Sequence, residues 1–284
     1  MKYESALSVR TNEGIEPSYM PAVSLRSYSN DCAIHERPHA AIAVPPVSIH
    51  SPRQNRLLAA LPASVYDRLL PHLELTALPF DSTLFRPGRQ VTHAYFPTTC
   101  IVSRRYMMEN GSAVTFAMIG NEGLVGIPQL MGGDATPFQM VVQRAGHAYR
   151  IRSETLKSEF ECGGPLHFLL LRYMQALSTQ MGQGAVCNGQ HSIEQRLCRW
   201  ILLSLDRMSS NSLCVTQQQI AEILGVRRES VTEAEKRLQD AGVIRCQRGQ
   251  ITVLNRAELE VRVCECYEVE SGEFERLLPE QVAV

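Results

Sequence analysis

The run Thr216-Gln-Gln-Gln-Ile-Ala-Glu-Ile-Leu-Gly-Val-Arg-Arg-Glu-Ser-Val-Thr-Glu-Ala-Glu-Lys-Arg-Leu-Gln-Asp240 decides the reading of this chain. Thr216 suits a helix N-terminus, because its hydroxyl accepts from an otherwise unpaired N–H. Ile220, Ala221, Ile223 and Leu224 then form one apolar face. Gly225 falls where the helix must stop, since a left-handed backbone costs glycine little. A second helix follows, with Val231, Ala234, Leu238 and Ala241 expected on its buried face. Ala221 is small where two crossing helices approach closely. These spacings predict a helix-turn-helix.

The outward face of the second helix carries Arg228, Glu229, Thr232, Glu233, Lys236 and Arg237. Arginine donates two bonds to a guanine edge and glutamate accepts from a cytosine amino group. Lysine and arginine further along suit phosphates. After this helix, two short β runs flank Arg248-Gly249 and predict a small wing, with Arg245 and Arg248 beside the duplex backbone. The residues assigned to DNA are Thr216, Gln218, Arg227, Arg228, Glu229, Ser230, Thr232, Glu233, Lys236, Arg237 and Arg248, with helix 228–240 in the major groove.

Charge agrees with this placement. Residues 192–256 hold 10 Lys/Arg against 7 Asp/Glu, whereas residues 257–284 hold 8 Glu against 2 Arg. A locally basic module followed by an acidic tail is compatible with nucleic-acid binding, although the whole chain is near neutral at −1. The tail reads as solvated, with a protein-contact surface as the alternative.

Upstream the texture differs. Residues 1–52 are rich in Pro, Ser and Asn without a sustained period, and read as a disordered extension. Leu57, Leu58, Leu61, Val65, Leu69, Leu70 and Leu73 recur at three and four, broken by Pro62 and Pro71, which predicts two short helices. Between Thr76 and Arg152, β-branched and aromatic runs alternate with turn signals: 91–96, 100–106, 113–119 and 139–142. Asn110-Gly111 reads as a type I′ hairpin turn. Strands at this spacing imply an antiparallel sandwich or barrel. From Pro165 a helical stripe of Leu166, Leu170, Tyr173, Leu177 and Met181 reads as a dimer seam, with docking onto the sheet as the alternative. Gly182, Gly184 and Gly189 are expected to end or bend that helix. Ser192 to Arg207 reads as a core-packing helix anchored by Trp200.

At 284 residues the chain is long enough for about two domains at roughly 150 residues each. No apolar run approaches the ~18 residues of a membrane span, and no secretory signal follows Met1. Nine scattered cysteines without such a signal point to a reducing cytoplasm. Cys264-Glu-Cys266 lacks a second pair and a nearby His, so no metal site and no cofactor are assigned. A cupin-like β-roll metal enzyme with a helical C-terminal domain is the alternative. It needs clustered ligands such as His-x-His. Neither His93 nor His147 has a histidine two residues away, no catalytic residues can be nominated, and the chain is read as not an enzyme.

Over residues 55–262 the chain resembles the Crp/Fnr family of bacterial transcription regulators. The resemblance is carried by the domain order, by Gly225-Val-Arg-Arg-Glu-Ser-Val231, and by Asn121-Glu-Gly-Leu-Val-Gly126, placed like the glycine-containing loop of the family's sensory domain. It implies a homodimer whose two recognition helices read a palindromic operator with half-sites one helical turn apart. RNA polymerase is a further expected partner, and no membrane is. Arg228 and Glu229 match the family's base-reading pair. Glu233 stands where a second Arg is frequent, so different preferred bases are expected. Arg227 replaces the usual Ser or Thr, which removes a cap and suggests a phosphate contact. The family's nucleotide-binding Gly-Glu and Arg-Ser pairs fall on Gly126-Ile127 and near Gln139-Met140. Gln and Met supply no buried cation for a cyclic phosphate, so binding by the usual residues is not expected. Only Cys32 lies in the N-terminal arm, which counts against an iron–sulfur sensor. His93 and His147 read as structural, with haem ligation as the alternative, and a thiol switch at Cys100, Cys162 or Cys187 stays open without an electrostatic signature in the sequence.

The expected fold is therefore α+β. Residues 53–164 form an antiparallel β jelly-roll or barrel sensory domain resembling cyclic-nucleotide-binding domains. Residues 165–190 form a dimerisation helix and hinge, residues 191–262 a winged helix-turn-helix, and residues 263–284 the acidic tail.

Overall fold

A computed structural model describes residues 50–109, 111–208 and 210–278. The disordered-extension reading therefore falls almost wholly outside the described residues. At its edge, Ser51 and Gln54 already form a capping box on a short 3-10 turn, two residues earlier than expected. Helices α1 (Arg56–Ala59) and α2 (Ala63–Leu69) then bury Leu57, Leu58, Val65 and Leu69, as their spacing predicts. Asn55 is fully buried beneath them. Its Oδ1 accepts from the Leu57 and Leu58 N–H groups, and its Nδ2 donates to the Pro97 and Gly123 carbonyls at 2.9 Å each. The first helix is thereby tied to two loops of the next layer.

That layer is all antiparallel. Its strands are β1 (Glu74–Leu78), β2 (Thr83–Phe85), β3 (His93–Pro97), β4 (Ile101–Met107), β5 (Ala113–Ile119), β6 (Gln139–Arg144) and β7 (Gly146–Arg152). They form two open sheets, ordered β1-β7-β3 and β2-β6-β4-β5, rather than a closed barrel. β3 shows the period-2 burial that makes such strands legible: Ala94 and Phe96 point inward, while His93 and Tyr95 are half-exposed. β4 and β5 pair as a hairpin with Met107 opposite Ala113. Five residues connect them, not the two of a type I′ turn, and Asn110 itself lies outside the described residues.

After α3 (Ser153–Glu161) comes α4, a single helix from Pro165 to Gln190. The helix does not end at Gly182, Gly184 or Gly189. Glycine costs a helix about 1 kcal/mol each, and tertiary packing offsets this: Cys187 is fully buried between Gly184 and Gly189. The expected dimer stripe is also corrected. Leu166, Leu170, Tyr173 and Leu177 are buried within this one chain, in the same core as the strands, with Met181 packed at the margin. The Tyr173 hydroxyl donates to the Leu124 carbonyl at 3.1 Å, and a Cβ on Gly123 would sit 2.5 Å from that hydroxyl. This stripe is the docking face of the helix onto the β domain.

The segment read as a solvated acidic tail is folded as far as it is described. Helix α8 (Arg256–Arg262) is followed by α9 (Cys266–Leu277), which lies along α4. Cys266, Glu270, Phe274 and Leu277, at spacings of four, four and three, face inward. The glutamates between them conceal this stripe in any charge count. Residues 279–284 lie outside the described residues.

Helix α5 (Ile193–Asp206) carries the charged group that joins these parts. Arg207, its C-cap residue, donates from Nε to Glu122 Oε1 at 2.8 Å. Its Nη2 lies 3.7 Å from Glu270 Oε1. Glu270 also accepts from Arg199 and, at 2.5 Å, from Gln180 Nε2. Glu122, Arg207 and Glu270 are buried and Arg199 nearly so. Burial works against the Arg207 charge, and Glu122 and Glu270 more than offset it, so its pKa is raised. Among the described residues no helix is long and apolar enough to cross a membrane. Arg207→Ala leaves Glu122 buried without its cation and should cost ~3–5 kcal/mol in denaturant unfolding. Arg105→Ala, which removes the exposed pair with Asp81, should cost no more than about 1 kcal/mol. Equal losses would contradict this account of the network.

Candidate nucleic-acid interface

Helices α6 (Gln217–Leu224) and α7 (Arg228–Asp240) form the predicted helix-turn-helix. Thr216 caps α6, and its hydroxyl and Gln219 form a capping box. Gly225 adopts φ 64°, ψ 41°, the left-handed corner that lets the chain leave α6 and enter α7 within three residues. Arg227 is the N-cap of α7 and makes no side-chain cap, as its departure from Ser or Thr predicts. Val231, Ala234 and Leu238 are fully buried against Ile220, Ala221 and the α5 residues Leu197 and Ile201. Ala241 differs: it lies past the last helical turn and is exposed.

The wing is present with one strand more than expected. β8 (Ser212–Cys214), β9 (Ile244–Gln247) and β10 (Gln250–Val253) form a sheet ordered β8-β10-β9. Gln247 pairs with Gln250 across a two-residue turn in which both Arg248, φ 46°, and Gly249, φ 76°, are left-handed. Glycine takes that conformation freely. A non-glycine residue pays roughly 1–2 kcal/mol for it, so the tip of the wing holds an arginine at a conformational cost.

Ten of the eleven residues assigned to DNA are exposed, and Ser230 is half-buried. They fall into two groups. The side chains of Arg227, Arg228, Glu229, Glu233, Lys236 and Arg248 have no hydrogen-bond or ion-pair partner among the described residues. The other group is held in place. Arg237 Nε donates to Glu194 Oε2 at 2.6 Å, Gln218 to Glu222 at 3.1 Å, and Thr232 to Gln217 and to the Arg228 carbonyl. Thr216 is occupied as a cap. The face with unpartnered side chains is thus the first two turns of α7, with the wing tip as a second projection.

Gln217 and Glu194 carry no signal of their own in the sequence. Gln217 ties α6 to α7 through Thr232 and through Glu235, whose Oε2 accepts from its Nε2 at 2.6 Å. Glu235 is buried beneath the outward face; burial raises its pKa and the Gln217 bond lowers it less, leaving it raised. Glu194 is 43 residues from Arg237, and no local spacing links them.

In the β domain the expected nucleotide-contact positions lack ligand chemistry. Ile127 and Met140 are buried apolar side chains, and Gln139 Nε2 donates to Thr83 at 3.2 Å. Arg144 is spent on the Thr99 carbonyl at 2.8 Å. Arg104 lies over the Phe138 ring at 4.4 Å and the Phe116 ring at 5.4 Å. Burial lowers its pKa.

Residues 195–262 match the family described as the Crp-like helix-turn-helix domain. No curated protein sequence matches the chain. Among solved structures, a transcriptional regulator of the Crp/Fnr family from Eubacterium rectale is similar at 16% identity and TM-score 0.58, covering 71% of this chain and 94% of that one. FixK2 from Bradyrhizobium japonicum is similar at 14% identity and TM-score 0.58, over 68% of this chain and 98% of that one. A Crp-family regulator from Thermus thermophilus is similar at 18% identity and TM-score 0.52, over 66% and 95%. At these identities the likeness establishes the fold. The family match shows that residues 195–262 are a Crp-like helix-turn-helix domain, carried on a fold shared with Crp/Fnr-family transcription regulators.

Proposed function

We propose that the protein is a sequence-specific regulator that binds double-stranded DNA as a homodimer, with α7 in the major groove. The single observation that carries this reading is the start of α7. Arg228, Glu229, Glu233 and Lys236 project without partners from a helix fixed from behind by Val231, Ala234 and Leu238. Arg228 and Glu229 have the donor and acceptor chemistry of guanine and cytosine edges. Arg227 and Arg248 flank them as phosphate contacts. A palindromic operator follows from twofold symmetry, and contact with RNA polymerase belongs to the same reading. The β domain acts without the usual cyclic-nucleotide contacts, and a cytoplasmic setting belongs to the same reading.

The dimer seam moves to the other side of α4. Phe168, Leu171, Gln175, Ser178, Gly182, Ala185 and Gly189 recur at alternating spacings of three and four on the side away from the β domain. That is the 3.5-residue repeat of a two-helix seam. Large residues sit at its start and small ones at its end, where two helices can approach closely. Phe168 is 58% exposed and Leu171 44%, which is unusual for such side chains without a partner surface.

Fluorescence anisotropy with operator-containing and random DNA tests the reading across a salt series. Specific affinity should fall steeply with salt as counterions are released. Arg228→Ala should cost ~1–3 kcal/mol on the operator and relax preference at one base pair. Loss of the same size on every sequence would reduce Arg228 to a phosphate contact, and salt-independent binding would sink the proposal. Leu171→Glu should halve the mass seen by light scattering and abolish operator binding at protein concentrations that saturate the parent. An unchanged mass would place the dimer elsewhere.

A further inference from the structure

Cys264-Glu-Cys266 carries too few ligands for a metal by itself. The fold brings two more to it. Cys187, in the last turn of α4, and His191, the residue that caps this helix, lie four apart and so share one face. The ligand atoms of Cys187, His191, Cys264 and Cys266 all lie within 4.8 Å of one another. Cys187 Sγ is 3.6 Å from Cys264 Sγ, and His191 Nδ1 is 3.4 Å from Cys266 Sγ. The three sulfurs form a buried cluster of their own, separate from both large cores.

These distances identify the chemistry. A tetrahedral ion with metal–sulfur bonds of about 2.3 Å and metal–nitrogen bonds of about 2.0–2.1 Å has sulfur–sulfur edges of about 3.8 Å and sulfur–nitrogen edges of about 3.6 Å. The Cys187–Cys264 and His191–Cys266 separations of 3.6 and 3.4 Å are close to these edges, and all four ligand atoms fall within 4.8 Å of one another. A four-iron cluster holds its thiolates on the outer corners of a cube, which spreads them farther apart. The geometry points to a site for one divalent zinc-class cation, held by the thiolates of Cys187, Cys264 and Cys266 and by Nδ1 of His191.

The surroundings support it independently. His191 Nε2, the nitrogen left over, lies 3.2 Å from Glu265 Oε1. A carboxylate on the second imidazole nitrogen is the partner that orients a metal-bound histidine and fixes its tautomer. Gln183 Nε2 donates to Cys266 Sγ at 3.1 Å, a bond that favours sulfur carrying negative charge. Three thiolates and a neutral imidazole around a divalent ion leave one net negative charge, and Arg196 and Arg199 on the adjacent helix are cations close enough to act on Cys187. His191 is half-buried, while the sulfurs are sealed, so the site is closed in the manner of a structural centre.

Its position gives the ion a job. His191 and Cys264 bracket the helices and wing of the DNA-binding module, which run from α5 at Ile193 to α8 at Arg262, so one ion ties the module's entry and exit together at the end of α4. An occupied site fixes where the module leaves the long helix.

The test uses the full chain, isolated under reductant and stripped with chelator, then titrated with cobalt(II) and competed with zinc(II). One equivalent of cobalt should give a thiolate charge-transfer band and the intense visible bands of a tetrahedral site, and zinc should erase them. Glu265→Gln should weaken cobalt affinity about tenfold or more. Its side chain is exposed, so the fold should be retained. Cys264→Ser should remove the thiolate spectrum's full intensity, and Cys162→Ser, at an exposed thiol outside the cluster, should leave it unchanged. Zinc should also raise the Tm of the stripped protein. A protein that takes up no cobalt at one equivalent overturns the inference. So does iron with inorganic sulfide, or a Cys187–Cys264 disulfide that persists under reductant in place of metal. No DNA enters this experiment, so its failure and failure of the DNA-binding reading are distinguishable.

Discussion

The buried chain of charges Arg199–Glu270–Arg207–Glu122 is the constraint on which the arrangement of this protein depends. Its members come from three parts of the fold. Glu122 sits in the loop before the β domain's last strands, Arg199 and Arg207 on the first helix of the DNA-binding module and its cap, and Glu270 on the C-terminal helix. Unpaired, any of these charges is expensive inside protein. Paired, each demands that the other elements stay in register. Such networks contribute little net stability compared with apolar packing, because desolvation offsets the attraction. Their effect is to make wrong arrangements costly. Ile101 and Met118 of the β domain join the module's own core, so the apolar packing and the charges agree on one placement.

Within that frame the proposed DNA-facing surface divides into side chains that hold the helices and side chains without partners. Thr232, Gln217 and Glu194 hold α6 and α7 against one another and against α5, and Thr216 caps α6. The Arg228, Glu229, Glu233 and Lys236 side chains have no partner among the described residues. Arg248 stands in a left-handed turn that glycine or asparagine would occupy more comfortably. A basic side chain kept there against its conformational preference is consistent with a role at the phosphate backbone.

Much of this is legible from local pattern. Thr216, Gly225 and the spacing of Val231, Ala234 and Leu238 specify the two helices because capping, a left-handed corner and a 3.6-residue period are all local. The wing turn at Arg248-Gly249 is legible for the same reason. What sequence does not convey is which apolar face meets which neighbour. The Leu166–Leu177 stripe has the spacing of a dimer seam, but the β domain covers it, and the truly exposed row begins at Phe168 and Leu171. In α9, charge composition hides the inward row of Cys266, Phe274 and Leu277. Cys187 and His191 meet Cys264 and Cys266 only through α9 docking on α4, across more than seventy residues that no motif spacing spans. β2, three residues long, is defined by pairing with β6 rather than by its own pattern.

The central claim is that α7 reads bases from the major groove. Methylation interference on operator DNA tests it most directly, because N7-methylguanine blocks the major groove and N3-methyladenine the minor. The account predicts interference at guanine N7 in two patches centred about one helical turn apart, roughly 10–10.5 base pairs. Interference confined to adenine N3, or a single patch without a symmetric mate, would contradict it.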